Sequence, residues 1–241
     1  MTNMVLNFAH RGSLTEAPEN TLSAVKKALS HGAKAIELDV QLTKDGELVV
    51  IHDHHLKRFT KETTKLIKEL TLEEIKQLDI GSAFSQAYEG ETLATLSEIL
   101  SVCPSEVLLN IEIKNIPVIY QGIEEKLLYC LEKHQRIDNS IVSSFDHAAL
   151  QNLQNLHSEI KLGMLFYYRI LRPWEYIQNS GLNVYSFHPN IVTVDKEMIK
   201  ASHDAGLKIY PYTVNEMTSY NALMEAGADG VFSNNPHIFA M

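Results

Sequence analysis

The chain has 241 residues, a length that is common for a single α/β barrel although it allows two smaller domains. Hydrophobic residues make up 45% and charged residues 21% of the sequence, which predicts a globular protein with a sizeable core. The net charge of −9 argues against general binding to nucleic acid or to an anionic membrane surface, but a local basic site could still hold an anionic substrate.

Short apolar runs alternate with amphipathic helical stretches, which is the pattern of βα units around a parallel sheet. The first elements are predicted as a strand at 5–9, a helix at 20–29 and a strand at 35–40. Lys44-Asp45-Gly46 then predicts a tight hairpin, because Asp-Gly between two extended runs reverses the chain. A barrel needs parallel neighbours, so the returning run 48–51 is not counted as a barrel strand. We interpret about residues 41–92 as an insertion after strand two.

The rest of the chain continues the alternation. Within the insertion, Thr71 and Glu74 form a capping box that predicts a short helix. Further helices are predicted at 95–102, 118–133, 147–156, 173–179, 195–205 and 216–226, and further strands at 107–113, 140–145, 161–166, 184–187, 208–213 and 230–233. Eight such strands predict a TIM-type (β/α)₈ barrel with an insertion after strand two, as one domain over residues 1–241. The active site is then expected at the C-terminal ends of the strands.

Three carboxylates stand near the ends of predicted strands two and three. Glu37 and Asp39 are two residues apart, so both side chains point to one face of strand two, and Glu112 joins them from strand three. Buried like charges repel, so either a cation or an Arg/Lys network must neutralise them. Oxygen ligands without cysteine suit a hard cation such as Mg²⁺ or Ca²⁺. Lys114, on the same face as Glu112, could pair with that carboxylate or bind a phosphate oxygen.

Two histidines flank this predicted carboxylate cluster. His10 follows strand one, where it is either a structural histidine or a group that transfers protons. The adjacent Arg11 carries a planar guanidinium suited to phosphate oxygens. His52 ends the hairpin return, which would bring it level with Asp39.

The segment Ala17-Pro18-Glu19-Asn20-Thr21 links strand one to its helix. Asn20 or Thr21 is expected to cap that helix, because short polar side chains accept hydrogen bonds from the free N–H groups of a first turn. Glu19 lies where a negative charge favours the positive end of the helix dipole. Helix capping would be sufficient to explain this segment.

These motifs together resemble the glycerophosphodiester phosphodiesterase family, and they follow the order found in that family. The elements that carry the resemblance are His10-Arg11-Gly12, Ala17-Pro18-Glu19-Asn20-Thr21, Glu37-Leu38-Asp39-Val40, Lys44-Asp45-Gly46, His52-Asp53 with Leu56, Arg58 and Thr60, Glu112-Ile113-Lys114, Tyr212-Thr213-Val214-Asn215 and Gly227-Ala228-Asp229-Gly230. Each motif is modest alone, but the ordered set spans nearly the whole chain and is specific.

The resemblance implies a role for each candidate site residue. One divalent cation, Mg²⁺ or Ca²⁺, would be held by Glu37, Asp39 and Glu112, the general acid/base pair would be His10 and His52, and phosphate would be bound by Arg11 and Lys114. The implied reaction is hydrolysis of a glycerophosphodiester, such as glycerophosphocholine or glycerophosphoethanolamine, to glycerol 3-phosphate and an alcohol. Which histidine acts as the acid, and whether water or the substrate's own glycerol hydroxyl attacks, stays open.

Four residues, at three places in the chain, depart from the usual pattern of the family. Tyr212 stands where Trp is usual, Ala94 where Pro is usual, and Ser233-Asn234 where Thr-Asp is usual. None of them is expected to touch the metal or the histidines. They bear on the alcohol pocket, for which Tyr212 and the strand-end aromatic residues Phe145 and Tyr167 are candidate lining residues.

Three alternative functions fit parts of the pattern. A lysophospholipase D on the same scaffold would need an apolar groove for an acyl chain, and no exposed apolar helix is evident. A metal-free phosphoinositide-cleaving lyase also uses a histidine pair on a barrel, but the three carboxylates argue against it. A catalytically inactive binding protein would have no need of the five site residues that the chain retains.

The expected setting follows from cysteine content and hydropathy. Cys103 and Cys130 lack the spacing of a metal or redox motif and favour two packed thiols in a reduced compartment. No stretch approaches the ~20 apolar residues of a membrane span, and Met1-Thr2-Asn3 leads directly into a strand rather than a leader. We expect a cytoplasmic protein with a small-molecule substrate, without nucleic acid or stable membrane association. The oligomeric state is not indicated.

Overall fold

The computed structural model describes residues 5–239, so the first four and last two residues of the predicted domain lie outside the described residues. Its strands are β1 (Leu6–His10), β2 (Ala35–Leu42), β3 (Leu48–Val50), β4 (Leu108–Ile113), β5 (Ser140–Ser144), β6 (Lys161–Phe166), β7 (Val184–Pro189), β8 (Lys208–Ile209) and β9 (Gly230–Ser233). Its α-helices are α1 (Leu22–Ser30), α2 (Leu72–Lys76), α3 (Leu96–Val102), α4 (Ile123–Lys133), α5 (His147–Leu156), α6 (Pro173–Asn179), α7 (Lys196–Asp204) and α8 (Met217–Ala226).

Parallel strands form a nearly closed barrel in the order β8-β7-β6-β5-β4-β2-β1-β9, with helices around it. Inside the ring, a small aromatic cluster that includes Phe8, Tyr210 and Phe232 fills the space between the strands. A larger apolar layer between the strands and the helices excludes water from the outer faces of the sheet. The predicted TIM-type barrel with an insertion after strand two is confirmed, whereas its organisation as a single domain stays a prediction.

The barrel closes between β8 and β9 through irregular backbone. The predicted strand at 208–213 was too long, because Pro211 has no N–H with which to continue the ladder and β8 ends at Ile209. Backbone hydrogen bonds nevertheless join the following residues to β9. The N–H of Phe232 donates to the carbonyl of Pro211 (3.0 Å), and the N–H of Val214 donates to the carbonyl of Phe232 (2.8 Å).

The insertion begins with the predicted hairpin. β3 pairs antiparallel with β2, with Val50 opposite Val40, and does not join the barrel order. The insertion has a small apolar core of its own, to which Ile51, Leu56 and Ile75 contribute. Helix α2 begins with the predicted capping box, in which the hydroxyl of Thr71 accepts from the N–H of Glu74 (3.2 Å) and the carboxylate of Glu74 accepts from the N–H of Thr71 (2.8 Å).

Helix α4 begins at Ile123, later than the predicted residue 118. The side chain of Asn115 accepts a hydrogen bond from the N–H of Tyr120 (2.7 Å), which stabilises a loop around Pro117. Gly122 then has a φ of +80°, a left-handed backbone that cannot belong to an α-helix. The apolar periodicity of this stretch therefore extended further than the helix itself.

Helix α1 packs closely on the loop after β1 at Gly12. This glycine has a φ of +78°, and an added Cβ would lie 2.7 Å from the carbonyl carbon of Ala24. We expect Gly12→Ala to lower the free energy of unfolding by about 3 kcal/mol, because the left-handed backbone costs ~1–2 kcal/mol and the clash adds a similar amount. Gly32→Ala is the matched control, since its φ is +76° but nothing lies within 4 Å of the added Cβ. Equal losses for both variants in urea denaturation would contradict this expectation.

Both cysteines, Cys103 and Cys130, are buried free thiols. Burial raises the pKa of the Cys130 thiol to about 11, so it stays protonated near neutral pH. Among residues 5–239, no helix combines the length and the apolar character needed to cross a membrane.

Candidate active site

The register of the barrel brings the predicted carboxylates together at the C-terminal ends of β2 and β4. Asp39 lies directly opposite Glu112, and Glu37, two residues earlier on β2, lies opposite His10 of β1. Each of the three carboxylates offers an oxygen, and these oxygens lie within 4.8 Å of one another. All three side chains are buried, so three carboxyl groups share a small volume from which water is largely excluded.

Two basic side chains partly neutralise this cluster. The backbone N–H of Arg11 donates to Glu37 Oε2 (2.9 Å). The guanidinium Nε of Arg11 lies 3.4 Å from Asp39 Oδ2. Lys114 Nζ donates to Glu112 Oε1 (2.7 Å) and lies 3.7 Å from Asp39 Oδ1. The positively charged groups lie nearest to Asp39 and Glu112, so the negative charge of Glu37 is the least compensated of the three.

The acidities of the carboxyl groups follow this asymmetry. Burial and the neighbouring charges of Asp39 and Glu112 raise the pKa of Glu37 well above its ordinary value. Burial also raises the pKa of Glu112, an effect that Lys114 only partly offsets. Burial opposes ionisation of Asp39 as well, but Arg11, Lys114 and a hydrogen bond from Asn20 hold the pKa of Asp39 far below its ordinary range.

The cluster keeps free oxygens that suit a cation. Within residues 5–239, neither Glu37 Oε1 nor Asp39 Oδ1 has a hydrogen-bond partner, although both atoms are buried. Buried polar atoms normally have hydrogen-bond partners. Two unpartnered carboxylate oxygens therefore lower the stability of the fold unless a positive charge lies beside them. An all-oxygen donor set of this kind fits a hard divalent cation.

His52 reaches the cluster from the insertion. The backbone N–H of Ile51 donates to the carbonyl of Asp39 (2.9 Å), which continues the pairing of β3 with β2 up to the end of the barrel strand. The buried side chain of Gln41 lies with its Nε2 within 3.0 Å of the carbonyl oxygens of Ile51, His52 and Asp53. These contacts fix the backbone that carries His52, whose Nδ1 lies 2.9 Å from Asp53 Oδ1.

A chain of ion pairs links the hairpin to the loop after β1. Arg58 Nε donates to Asp53 Oδ2 (3.0 Å), and its terminal nitrogens donate to both oxygens of Glu19 (2.7 and 2.8 Å). Glu19 Oε1 also accepts from Arg11 Nη1 (2.9 Å). Glu19 therefore orients the guanidinium of Arg11, and the expectation that Glu19 serves the helix dipole was wrong.

The segment before α1 also supports the carboxylate cluster. Thr21 is the cap of α1, since its hydroxyl accepts from the N–H of Ala24 (3.2 Å). Asn20 has a φ of +61° and turns its amide towards Asp39 instead. Its Nδ2 donates to Asp39 Oδ2 (2.8 Å), and its Oδ1 accepts from the N–H of Asp39 (3.2 Å).

His10 lies half-buried at the other side of the cluster, where it faces the cavity. Its Nε2 lies 3.9 Å from Glu37 Oε2, and its Nδ1 lies 2.7 Å from Asn234 Oδ1. Burial and the adjacent charge of Arg11 lower the pKa of His10 to about 4. The imidazole is therefore neutral near pH 7 in the metal-free chain.

A cavity of about 250 Å³ opens above these groups. Its polar side carries candidate catalytic, metal-binding and phosphate-binding residues, namely His10, Arg11, Glu37, His52, Glu112 and Lys114, with Asn110 and Ser143. Its other wall is mostly apolar and is formed by Phe145, Leu165, Tyr167, Tyr212, Thr213 and Phe232. A charged floor beside an apolar wall suits a small phosphodiester with an organic alcohol group.

Comparison with known proteins gives a consistent result. The sequence profile described as the glycerophosphoryl diester phosphodiesterase family matches residues 10–238. The chain belongs to this family. It is 40% identical over 233 residues to the glycerophosphodiester phosphodiesterase of Bacillus altitudinis (95% of this chain, 94% of the relative). It is 38% identical over 232 residues to that of Caldanaerobacter subterraneus subsp. tengcongensis (96% and 94%).

A solved structure supports the same assignment. An Oleispira antarctica phosphodiesterase in complex with the product sn-glycerol-3-phosphate is similar to this chain, with a TM-score of 0.89 and 33% identity (98% of this chain, 95% of that chain). The predicted family and the predicted enzyme class, a phosphoric diester hydrolase, are confirmed by these relatives.

In this member of the phosphodiesterase family, all ten site residues that were predicted from the sequence lie around one cavity. Nine of them line it, and Asp39 lies beneath the floor, in contact with Arg11 and Lys114. Their roles stay predictions. The ring of Phe145 packs edge-on against Tyr212 (6.0 Å between ring centres), and Lys114 Nζ lies 5.7 Å from the centre of the Phe145 ring.

One expectation about the departures from the family pattern was wrong. Asn234 contacts His10 directly, although Ser233-Asn234 was expected to leave the histidines untouched. Tyr212 lines the cavity as expected, whereas Ala94 is buried and does not line it. Asn234 supports the site from the end of β9, whereas Glu19 and Asn20 support it from the loop between β1 and α1.

Proposed function

We propose that the protein hydrolyses glycerophosphodiesters, such as glycerophosphocholine or glycerophosphoethanolamine, to glycerol 3-phosphate and an alcohol. In this proposal the reaction depends on one divalent cation, Mg²⁺ or Ca²⁺, held by Glu37, Asp39 and Glu112. His10 and His52 act as the general acid/base pair. The main support is the juxtaposition of three buried carboxylates with two histidines and two basic side chains around one cavity.

Each part of the site has a chemical task. A bound divalent cation would supply positive charge that polarises the phosphoryl group and offsets its repulsion of a nucleophile. Arg11 and Lys114 would stabilise charge that builds on the phosphoryl oxygens. One histidine would remove a proton from the attacking hydroxyl, which belongs to water or to the glycerol moiety, and the other would protonate the leaving alcohol.

The positions of the histidines support this division of labour. His10 lies beside Glu37 at the end of β1, and His52 reaches the same cavity from the insertion, so the substrate phosphate can bind between them. Asp53 and Arg58 hold His52, while Glu19 holds Arg11. Such supporting contacts keep catalytic groups in the geometry that the reaction needs.

Purified protein incubated with glycerophosphocholine is expected to release glycerol 3-phosphate only when Mg²⁺ or Ca²⁺ is present. EDTA should remove this activity, and re-addition of the metal should restore it, because the three carboxylates bind the cation reversibly. Product is measured with a coupled glycerol 3-phosphate assay, and phosphate release is followed as a control for phosphomonoesterase activity. Full activity after thorough chelation would contradict the metal assignment.

A lysophospholipase D activity is the second candidate, and one feature favours it. The loop between β6 and α6 starts at the cavity wall with Tyr167, and its next residues include Tyr168 and Leu171, which are 78% and 89% exposed. An apolar rim of this kind could contact an acyl chain. Lysophosphatidylcholine therefore belongs in the same assay, and turnover of it in preference to glycerophosphocholine would favour this second function.

A cytoplasmic location belongs to the same proposal. Its support is the pair of buried free thiols, Cys103 and Cys130, which is typical of a reducing compartment. Localisation of the tagged chain by cell fractionation tests it, and recovery in the secreted fraction would contradict it.

A further inference from the structure

Asn234, the residue after β9, lies against the ring of His10. Its Oδ1 is 2.7 Å from His10 Nδ1, although the two residues are 224 positions apart in sequence. The backbone N–H of Asn234 donates to Asn215 Oδ1 (2.9 Å). The side chain that contacts His10 therefore projects from an anchored backbone.

The amide atom of Asn234 that faces the ring, Oδ1, indicates which His10 nitrogen carries the hydrogen. An amide oxygen can only accept, so the His10 nitrogen that faces it must carry the hydrogen. In a neutral imidazole the other nitrogen then has the free lone pair. That other nitrogen, Nε2, lies on the side of Glu37 and the carboxylate cluster.

We propose that Asn234 is a positioning residue for His10: it holds the ring in one orientation and in the Nδ1–H tautomer, so that Nε2 is free to exchange a proton with the substrate. The inference rests on the proposed function, in which His10 transfers a proton. A carboxylate at this position could accept the same hydrogen bond, but it would add a fourth negative charge near Glu37, Asp39 and Glu112. The amide provides the bond without that charge.

Steady-state kinetics of two variants test the role in turnover. Asn234→Ala is expected to lower kcat for glycerophosphocholine by about 10- to 100-fold at saturating Mg²⁺, with KM changed less than about threefold, as for other residues that orient a reactive side chain. Asn234→Asp keeps an acceptor for Nδ1 and should retain kcat within about fivefold of wild type. A kcat for Asn234→Ala within twofold of wild type would overturn the proposal, as would a loss confined to KM.

Asn235→Ala is the matched control. Asn235 is the next residue and has the same chemistry, but its Oδ1 accepts from the hydroxyl of Thr15 and not from His10. Its kcat is expected to equal that of wild type. If Asn235→Ala lost as much activity as Asn234→Ala, the effect would belong to the segment rather than to the His10 contact, and the proposal would fail.

The tautomer itself is measured by ¹⁵N–¹H correlation spectra of the histidine side chains in the metal-free protein, with His10 assigned by its absence in His10→Ala. Wild type and Asn234→Asp are expected to show the Nδ1–H form, and Asn234→Ala a mixture. An Nε2–H form in wild type would overturn the proposal, because Asn234 would then be donating its amide. This spectrum needs no substrate, so it decides the role of Asn234 even if wild type fails to cleave any glycerophosphodiester and the proposed function falls.

Discussion

The His52→Ala variant is expected to lose about 10²- to 10⁴-fold in kcat while it remains folded, and His10→Ala is expected to do the same. Removing either imidazole deletes one of the two proposed proton transfers, yet neither ring belongs to the apolar core of the barrel. Because the two groups serve one reaction, the double variant should be little worse than the poorer single variant. Stopped assays of glycerol 3-phosphate release give kcat, and urea denaturation shows whether each variant is folded.

His203→Ala is the control for this pair. His203 lies on α7 and contacts Asp229 Oδ2 (2.9 Å), away from the residues that line the cavity. Its kcat should equal that of wild type. Near wild-type turnover in His10→Ala or in His52→Ala would remove that residue from the mechanism and would leave a single histidine to both accept and donate the proton.

The carboxylate cluster could be predicted because its geometry depends on local rules. Side chains alternate along a strand, so Glu37 and Asp39 share a face wherever that strand lies. Once βα alternation had predicted a parallel barrel, the ends of β2 and β4 had to lie at the same rim, which brings Glu112 to the other two. The Asp-Gly turn likewise predicted that the hairpin would return His52 to the end of β2.

The contacts that support the site could not be predicted, because they join distant segments. Glu19 is 39 residues from Arg58, and helix capping is the local alternative that sequence reasoning favours for such an acidic residue. Asn20 satisfied the same local rule, but its left-handed backbone turns its side chain to Asp39. The contact of Asn234 with His10 spans nearly the full chain, so only the closure of the barrel reveals it.

Glu37→Gln is expected to change catalysis and stability in opposite directions. The substitution removes one of the three proposed charged ligands, so metal-dependent kcat/KM should fall at least about 100-fold at a fixed Mg²⁺ concentration. In EDTA, however, the variant should be more stable than wild type above pH 4.5. The amide keeps an oxygen for the N–H of Arg11 but no longer repels Asp39 and Glu112.

The pH dependence of this gain follows from the raised pKa of Glu37. Burial, with the charges of Asp39 and Glu112, keeps a proton on the folded chain at pH values where the unfolded chain, with a carboxyl pKa near 4.5, has lost it. Wild-type stability in EDTA therefore decreases as pH rises from about 4.5 through the folded pKa, and this contribution is absent from Glu37→Gln. The difference between the two proteins in urea denaturation should grow over the same interval and then level off.

Glu124→Gln separates a metal ligand from an ordinary buried carboxylate. Glu124 is buried on α4 and accepts from Asn152 Nδ2 (3.2 Å), a bond that an amide at this position could also accept. Its substitution should leave Mg²⁺-dependent activity unchanged, because it lies outside the cluster of three carboxylates. A Glu37→Gln protein that kept wild-type activity, or that matched wild-type stability in EDTA at every pH, would show that Glu37 is not held as a charged ligand. Loss of activity together with a gain in metal-free stability would support the proposal that a cation offsets the repulsion among the three buried carboxylates.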